Sequence, residues 1–193
     1  MKLTLHIVSF DVPFPPNYGG VIDVYYKLRE LHEAGVKIIL HCFQNERDPA
    51  PALNELCMEV HYYPRQTGFR NVISLKPYIV TSRASNLLRK RLLEDNFPIL
   101  FEGLHVCSLL NDPAFRKRKK IYRESNIEHH YYYHLFKATA NLPDKFFFLF
   151  ESFKLKWFQK ILKHADLMLV VSKEDQRYLQ GIFPHHDIRY LPS

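Results

Sequence analysis

Few cysteines and no long apolar run occur in this sequence, and each shortage excludes a class of protein. Cys42, Cys57 and Cys107 are far apart and form no C-x-x-C pair. Neither a disulfide framework nor a zinc knuckle is therefore indicated, and we expect three reduced cysteines in a core. No uninterrupted apolar run is long enough to cross a bilayer, and the start of the chain does not resemble a secretory signal. These features favour a cytoplasmic protein.

Glycine is also scarce, with six in 193 residues, and none belongs to a G-x-G-x-x-G motif or a P-loop. What the chain does have is an apolar run over Leu3–Phe10, a proline-rich turn over Pro13–Gly20 and a helical pattern over Val21–Glu33. We expect a strand, a loop and a helix. Gly19 and Gly20 would let a ligand approach the helix N-terminus, which suits a phosphate. A plain strand-to-helix turn is the alternative.

The charge balance is basic, with 27 Lys and Arg against 20 Asp and Glu, a formal net charge of +7. This balance favours an anionic partner such as a sugar nucleotide, a phosphorylated lipid, an acidic membrane or a nucleic acid, without choosing between them. Five consecutive basic residues occupy Arg116–Lys120. We interpret this run as a solvated loop, and we expect no nucleic-acid partner.

Six further segments have the length and apolar content of buried strands: Val36–Phe43, Cys57–Tyr63, Pro98–Phe101, Ile121–Arg123, Leu167–Val171 and Ile188–Leu191. Helical patterns lie between several of them, over Ser85–Asp95, over Asp144–Ala165, and from Ser172 to Gly181. This alternation predicts an α/β fold with a doubly wound, mainly parallel, Rossmann-like sheet in one domain over residues 1–193.

Polar side chains follow three of these predicted strands. They are Glu102 and His105 after the fourth strand, Arg123, Ser125, Asn126 and Glu128 at or after the fifth, and Ser172 and Asp175 after the sixth. The carboxyl ends of parallel strands face the ligand crevice of such a sheet, so Glu102 and His105 are candidate polar contacts of a binding site. The alternative is that Glu102 bonds to nearby backbone and that His105 caps a short helix over Val106–Leu110. Ser172 and Asp175 also fit a variant capping box.

Two stretches allow competing interpretations. The segment Asp144–Ala165 has a wide apolar face with lysines between its aromatic residues, which fits either a core helix or an interfacial helix on anionic lipid. His130 and His134 are one helical turn apart, but Tyr131 stands where a zincin needs glutamate. We expect no metal site.

Four segments, in order, resemble the N-terminal domain of a GT-B-fold glycosyltransferase of the large retaining family four. They are Pro13–Gly20, Leu100–His105, Arg123–Tyr132 and Ala165–Asp175. The resemblance implies transfer of a hexose from a nucleotide sugar to a glycan or lipid-linked acceptor, in polysaccharide biosynthesis. It implies retention of configuration, with the nucleotide sugar as a substrate and with neither metal nor cofactor.

The resemblance also assigns expected roles. Gly19 and Gly20 match the loop that approaches the donor diphosphate or the acceptor, and Glu102 and His105 match the rim of the acceptor crevice.

The segment after the fifth strand matches an Arg-x-His-Asn-x-Glu pattern through Arg123, Asn126 and Glu128. Ser125 departs from it, because many members carry a histidine there that contacts the transferred sugar. Ser172 and Asp175 match the segment that leads towards the interdomain cleft.

The family's nucleotide-sugar site belongs to a C-terminal domain that this chain lacks. The resemblance therefore implies an acceptor-side half that shares its donor with the missing domain and is inactive alone, in the cytoplasm or peripheral to the inner face of the membrane. The alternative is a non-catalytic Rossmann-like module that binds a glycan or an anion. A nucleotide-dependent oxidoreductase is disfavoured, because G-x-G-x-x-G is missing.

Overall fold

Seven parallel strands form one sheet in the order β3-β2-β1-β4-β5-β6-β7 in the computed structural model. The structure describes residues 3–192, without the side chains at positions 69 and 70. The strands are β1 (Thr4–Ser9), β2 (Lys37–Gln44), β3 (Glu59–Pro64), β4 (Ile99–Glu102), β5 (Lys120–Arg123), β6 (Leu167–Val170) and β7 (Ile188–Tyr190). All seven strands expected from the sequence are present, and the predicted parallel α/β fold is confirmed.

Helices connect the strands. They are α1 (Gly19–Glu33), α2 (Phe69–Val72), α3 (Tyr78–Thr81), α4 (Asn86–Leu92), α5 (Glu128–Ala138), α6 (Leu142–Phe158) and α7 (Lys173–Ile182). Short 3-10 turns occupy Pro51–Glu55, Leu104–Leu109, Pro113–Phe115 and Gln159–His164. Within residues 3–192, none of the helices combines the length and the apolar character that a bilayer crossing requires.

Two apolar cores cover the two faces of the sheet. On one face, Ile7 of β1 packs with Val24 and Leu28 of α1. On the other face, the central strands pack against α4, α6 and α7. This core includes Val8, Phe101 and Tyr122 from the strands and Leu88, Leu155 and Leu179 from the helices. Because successive side chains of a strand point to opposite faces, Ile7 and Val8 belong to different cores. The sheet is thus doubly wound, as predicted.

The basic run Arg116–Lys120 differs from the solvated loop that we expected. Arg118 is only 6% exposed, and its guanidinium lies 2.8 Å from the Asp95 carboxylate. Lys120 is 7% exposed and begins β5, where its ammonium donates to the Leu110 carbonyl. The sequence could not reveal this arrangement, because both partners come from distant segments. Two residues of the run, Arg118 and Lys120, therefore stabilise the fold by binding to other segments of the chain.

Two helix ends also differ from the sequence prediction. Helix α7 continues through Gly181 to Ile182 rather than ending at the glycine. The long pattern over Asp144–Ala165 divides into α6 and a separate 3-10 turn. The predicted end of the first helix at Glu33 is confirmed, and Gly35 just beyond it has a φ of +79°, which glycine adopts without strain.

A buried cluster of polar rings lies on the α4 face of β1 to β3. Nδ1 of His6 lies 2.8 Å from Nε2 of His41, and Nδ1 of His41 lies 2.8 Å from the Tyr63 hydroxyl. Burial lowers the pKa of both histidines, although Asp95 opposes this effect at His6. Both rings are therefore uncharged at neutral pH and satisfy each other's hydrogen bonds within the core.

Candidate functional site

The strand order reverses between β1 and β4, which are adjacent although their connections leave towards opposite edges of the sheet. Open parallel sheets bind ligands in the crevice at such a switch point, at the carboxyl ends of the strands. Phe10 follows β1 at this point, and its ring stacks on His105 with the two centroids 5.1 Å apart. Gly103, which follows β4, has a φ of +79° and lets the chain turn closely under the His105 ring.

The predicted glycine pair lies in the first turn of α1 rather than in a preceding loop. The two glycines have different surroundings. A Cβ on Gly20 would lie 2.6 Å from Cζ of Phe10, whereas a Cβ on Gly19 would meet nothing within 4 Å. The absent side chain at Gly20 therefore has a packing reason, because it admits the Phe10 ring.

Gly20→Ala is expected to lower the free energy of unfolding by about 1–3 kcal/mol, because the added methyl group overpacks the Phe10 ring. Gly19→Ala is the matched control and should be neutral or slightly stabilising, since alanine is the better helix residue. Urea unfolding of both variants measures the difference. Equal stability of the two variants would contradict the packing role of Gly20.

Four charged side chains form an ion-pair network on the α1 face of the switch point: Asp23, Lys27, Glu102 and Arg123. The Lys27 ammonium lies 2.8 Å from both carboxylate oxygens of Glu102 and 3.0 Å from Asp23. The Arg123 guanidinium reaches Asp23 with two contacts, of 3.1 and 3.3 Å. Glu102 is 2% exposed and Arg123 is 1% exposed.

Burial and the two cations of the network together set the pKa values of its two carboxyl groups. Burial raises the pKa of Glu102, and Lys27 opposes the increase. Burial alone would also raise the pKa of Asp23, but Lys27 and Arg123 outweigh it and keep that pKa below its usual value. The network thus depends on its two cations to hold two carboxylates in a region with little water.

A groove of about 580 Å³ opens beside this network, between α1 and the end of β7. Its lining includes Gly19, Ile22, Asp23, Arg123 and Leu191. The Arg123 guanidinium also donates to the Leu191 carbonyl, which fixes the end of the described chain against the groove. Two of the predicted site residues, Gly19 and Arg123, therefore share one groove.

On the opposite face, His105 and Glu128 approach each other beside Arg83. Nδ1 of His105 is buried without a hydrogen-bond partner among the described residues, and it lies 3.8 Å from the Glu128 carboxylate. Arg83 is 7% exposed and donates to the Phe10 and Ile79 carbonyls. We call His105, Glu128 and Arg83 the His105 cluster.

Burial dominates the electrostatics of the His105 cluster. It raises the pKa of Glu128 to about 7, with Arg83 opposing, and it lowers the pKa of Arg83 to about 10. The pKa of His105 lies well below its usual value, through burial and then through Arg83 and Arg65. At neutral pH the imidazole is uncharged and the Glu128 carboxyl is near its own pKa, so the pair can both accept and donate hydrogen bonds.

Sequence reasoning missed several charged groups at the switch point. Asp23 and Lys27 had a usable signal in their i, i+4 spacing on one helix. Arg83 had none, since its partners are backbone carbonyls. Glu124 is 2% exposed with one carboxylate oxygen unpaired, and burial together with Asp175 and Glu128 raises its pKa.

The remaining predicted residues are less closely grouped. Ser172 is confirmed as the N-cap of α7: its hydroxyl accepts from the Asp175 amide at 3.0 Å and donates to the Asp175 carboxylate at 2.6 Å. After β5, Ser125 is half-buried and Asn126 is exposed. Both follow a strand at the same sheet edge, without joining either cluster. No group of three or more His, Cys, Asp or Glu suited to a metal ion occurs within residues 3–192.

No family model matches the chain. A protein of Klebsiella pneumoniae, described as an uncharacterized 44.6 kDa protein in the cps region, is 28% identical over 190 residues. The match covers 93% of this chain and 49% of that protein, so the chain spans about half the length of this relative.

Among solved structures, UGT2 of Phytolacca americana in complex with UDP-2fluoro-glucose and pterostilbene matches with a TM-score of 0.56 and 12% identity. The match covers all of this chain and 54% of UGT2. Apo UGT2 matches with a TM-score of 0.51 and 11% identity, over 99% of this chain and 51% of the other. The chain therefore has the Rossmann-like α/β fold of GT-B glycosyltransferase structures.

Proposed function

We propose that this chain is the acceptor-side half of a glycosyltransferase that moves a hexose from a nucleotide sugar to a glycan or lipid-linked acceptor. The observation that carries the proposal is the presence of two polar clusters at one switch point, one on each face of the sheet. Phe10 stacks on His105 of the His105 cluster and packs against Gly20 in the first turn of α1, the helix that carries Asp23 and Lys27 of the network. The fold is one that GT-B glycosyltransferase structures share. The cps-region relative agrees with a role in polysaccharide synthesis.

The His105 cluster is the proposed acceptor contact. Glu128 is 5% exposed, and the distance of 3.8 Å from its carboxylate to Nδ1 of His105 exceeds a hydrogen bond. Its carboxyl group therefore keeps hydrogen-bonding capacity for a ligand. A sugar hydroxyl both donates and accepts, and a carboxyl with a pKa of about 7 matches either role at neutral pH.

The groove beside α1 is the proposed donor side. The N-terminus of α1 carries a partial positive charge, and Gly19 leaves the approach to it open. In the proposed enzyme a second domain, outside this chain, supplies the main nucleotide-sugar contacts and closes on the groove. The half-length matches to both relatives are consistent with such a second domain.

We further propose that the transfer retains the configuration of the sugar and uses no metal ion. The leaving diphosphate would then be stabilised by helix amides and by cationic groups of the cleft. Ser125 offers a hydroxyl where many members of the proposed family carry a histidine. It can hydrogen-bond to the transferred sugar, but it brings no positive charge.

The test is an assay with nucleotide sugars and glycan or lipid-linked acceptors, using the 193-residue chain and a longer protein that contains it. We expect transfer by the longer protein, no transfer by the chain alone, and a product whose anomeric configuration by NMR matches the donor. Turnover by the chain alone would overturn the division into halves. Acceptor binding without transfer by either protein would favour a non-catalytic module, and an inverted product would refute retention.

A further inference from the structure

Helix α6 carries a stripe of exposed apolar side chains that the core does not use. We define the α6 stripe as Phe146, Phe150, Phe153 and Trp157, which are 56%, 61%, 63% and 65% exposed. Their spacings of four, three and four residues place them on one face of the helix. Leu155 and Phe158, on the opposite face, are buried in the core. The side chains of the stripe therefore do not contribute to the core, and their exposure to water is energetically unfavourable.

The apolar surface continues beyond the helix. Ile73 and Leu75, between α2 and α3, are 65% and 90% exposed. The Lys154 ammonium donates to the Val72 carbonyl at 3.1 Å, which ties this segment to α6. Large apolar side chains from two separate segments thus share one side of the molecule.

Most charges around the stripe are positive. Residues 142–164 include five lysines and two acidic residues, Asp144 and Glu151. Asp144 is exposed in the first turn of α6, whereas Glu151 is 1% exposed and paired with Lys154 at 2.8 Å, so its carboxylate does not face the solvent. Lys156, Lys160 and Lys163 are exposed. A surface with aromatic residues in the middle and cations around them complements anionic lipid.

A groove of about 330 Å³ lies at the C-terminal end of the stripe. Trp157 and Ile161 line it together with three lysines: Lys76, Lys160 and Lys163. The groove therefore joins an indole ring, which favours the membrane interface, to cations that can pair with lipid phosphates.

We propose that the α6 stripe docks this domain on the surface of an anionic membrane. The aromatic side chains enter the boundary between headgroups and acyl chains, and the lysines pair with lipid phosphates. Of the two sequence interpretations of this segment, the core helix accounts for Leu155 and Phe158, and the interfacial helix accounts for the stripe. The proposal stands independently of glycosyl transfer.

The test uses Trp157, which is the single tryptophan in the chain. The 193-residue chain is mixed with phosphatidylglycerol vesicles or with phosphatidylcholine vesicles. We expect co-sedimentation with the anionic vesicles, a blue shift of the tryptophan emission, and quenching by brominated acyl chains. Binding should be at least about tenfold weaker for phosphatidylcholine and should weaken with salt.

Two pairs of variants isolate the surface. Phe150→Ser with Phe153→Ser is compared with Leu87→Ser and Leu93→Ser. Leu87 lies on α4 and Leu93 directly follows it, and they are 49% and 42% exposed. Only the stripe variant should bind the anionic vesicles at least about tenfold more weakly.

Lys156→Glu with Lys160→Glu is compared with Lys117→Glu and Lys119→Glu, which are exposed in the basic run. Again only the first pair should lose about tenfold or more in binding. Circular dichroism establishes that each variant is folded.

Three results would overturn the proposal. These are no emission shift and no sedimentation with phosphatidylglycerol, equal losses in the stripe and control variants, or sedimentation velocity showing a dimer that the stripe variant converts to a monomer. The last result would identify a second copy of the chain, rather than lipid, as the occupant of the stripe.

Discussion

Lys27→Met is expected to lower the free energy of unfolding by about 3–5 kcal/mol, the usual cost of removing one partner from a buried ion pair. Lys27 contacts both carboxylate oxygens of Glu102, which is 2% exposed. Without the ammonium, Glu102 must either remain charged and unpaired or take up a proton. Urea unfolding at pH 7 measures the loss.

Two controls separate the buried pair from a general effect of losing a lysine. Arg29→Met removes a cation from the same helix, where Arg29 is 44% exposed and its partners are exposed glutamates, so it should cost at most about 1 kcal/mol. Lys27→Met combined with Glu102→Leu removes both charges and should recover most of the stability.

The destabilisation by Lys27→Met should also depend on pH. Below the pKa of an unfolded glutamate, Glu102 is protonated in both states, so its burial without a partner costs little. Above that pKa the unfolded glutamate is ionised, and folding must then either bury an unpaired charge or take up a proton. The cost should therefore be larger at pH 8 than at pH 5. A loss that is the same at both values, or no rescue in the double variant, would contradict this account of the network.

Glu128→Gln is expected to stabilise the chain at high pH by about 3 kcal/mol, because it removes a carboxylate that burial disfavours. The pKa of Glu128 is raised from 4.5 to about 7 in the folded protein. Its contribution to stability is therefore complete below pH 4.5 and is lost as the pH rises through 7. The difference in unfolding free energy between variant and parent should be close to zero at pH 4.5 and should reach its maximum above pH 7.

The same substitution tests the proposed function. If Glu128 holds an acceptor hydroxyl, Glu128→Gln in a longer, active protein should raise the acceptor KM about 10- to 100-fold, the cost of a hydrogen bond to a charged group. The donor KM should change less than about twofold. Glu33→Gln, at an exposed site on α1, is the control. If Glu128→Gln stabilises the protein but does not change the acceptor KM, Glu128 has a structural role and does not belong to the acceptor site.

The contrast between Ser172 and Arg118 illustrates what can be predicted from a sequence. The N-cap at Ser172 follows from residues three positions apart, and it is confirmed by the 3.0 Å bond from the Asp175 amide. The buried state of Arg118 depends on Asp95, which lies 23 residues away in the chain. Local patterns contain the first kind of information and not the second.

The candidate site likewise has features that local sequence patterns predict and features that they do not. The alternation of strands and helices implied that Glu102, Arg123 and Ser172 would follow strands at one edge of the sheet, because parallel strands end together. It did not indicate that Lys27 would pair with Glu102, or that Gly20 would make room for Phe10. The α6 stripe was also ambiguous, since aromatic residues suited to a core and those suited to a membrane are the same.

The sequence alone determined the fold class, the seven strands and the edge of the sheet where the polar residues collect, since hydrophobic periodicity and turn residues act over short distances. Only the tertiary structure decided which charges are buried, which partners neutralise them and which aromatic residues remain in contact with water. These properties depend on distances between segments far apart in the chain, and burial sets both the cost of a charge and the value of its partner.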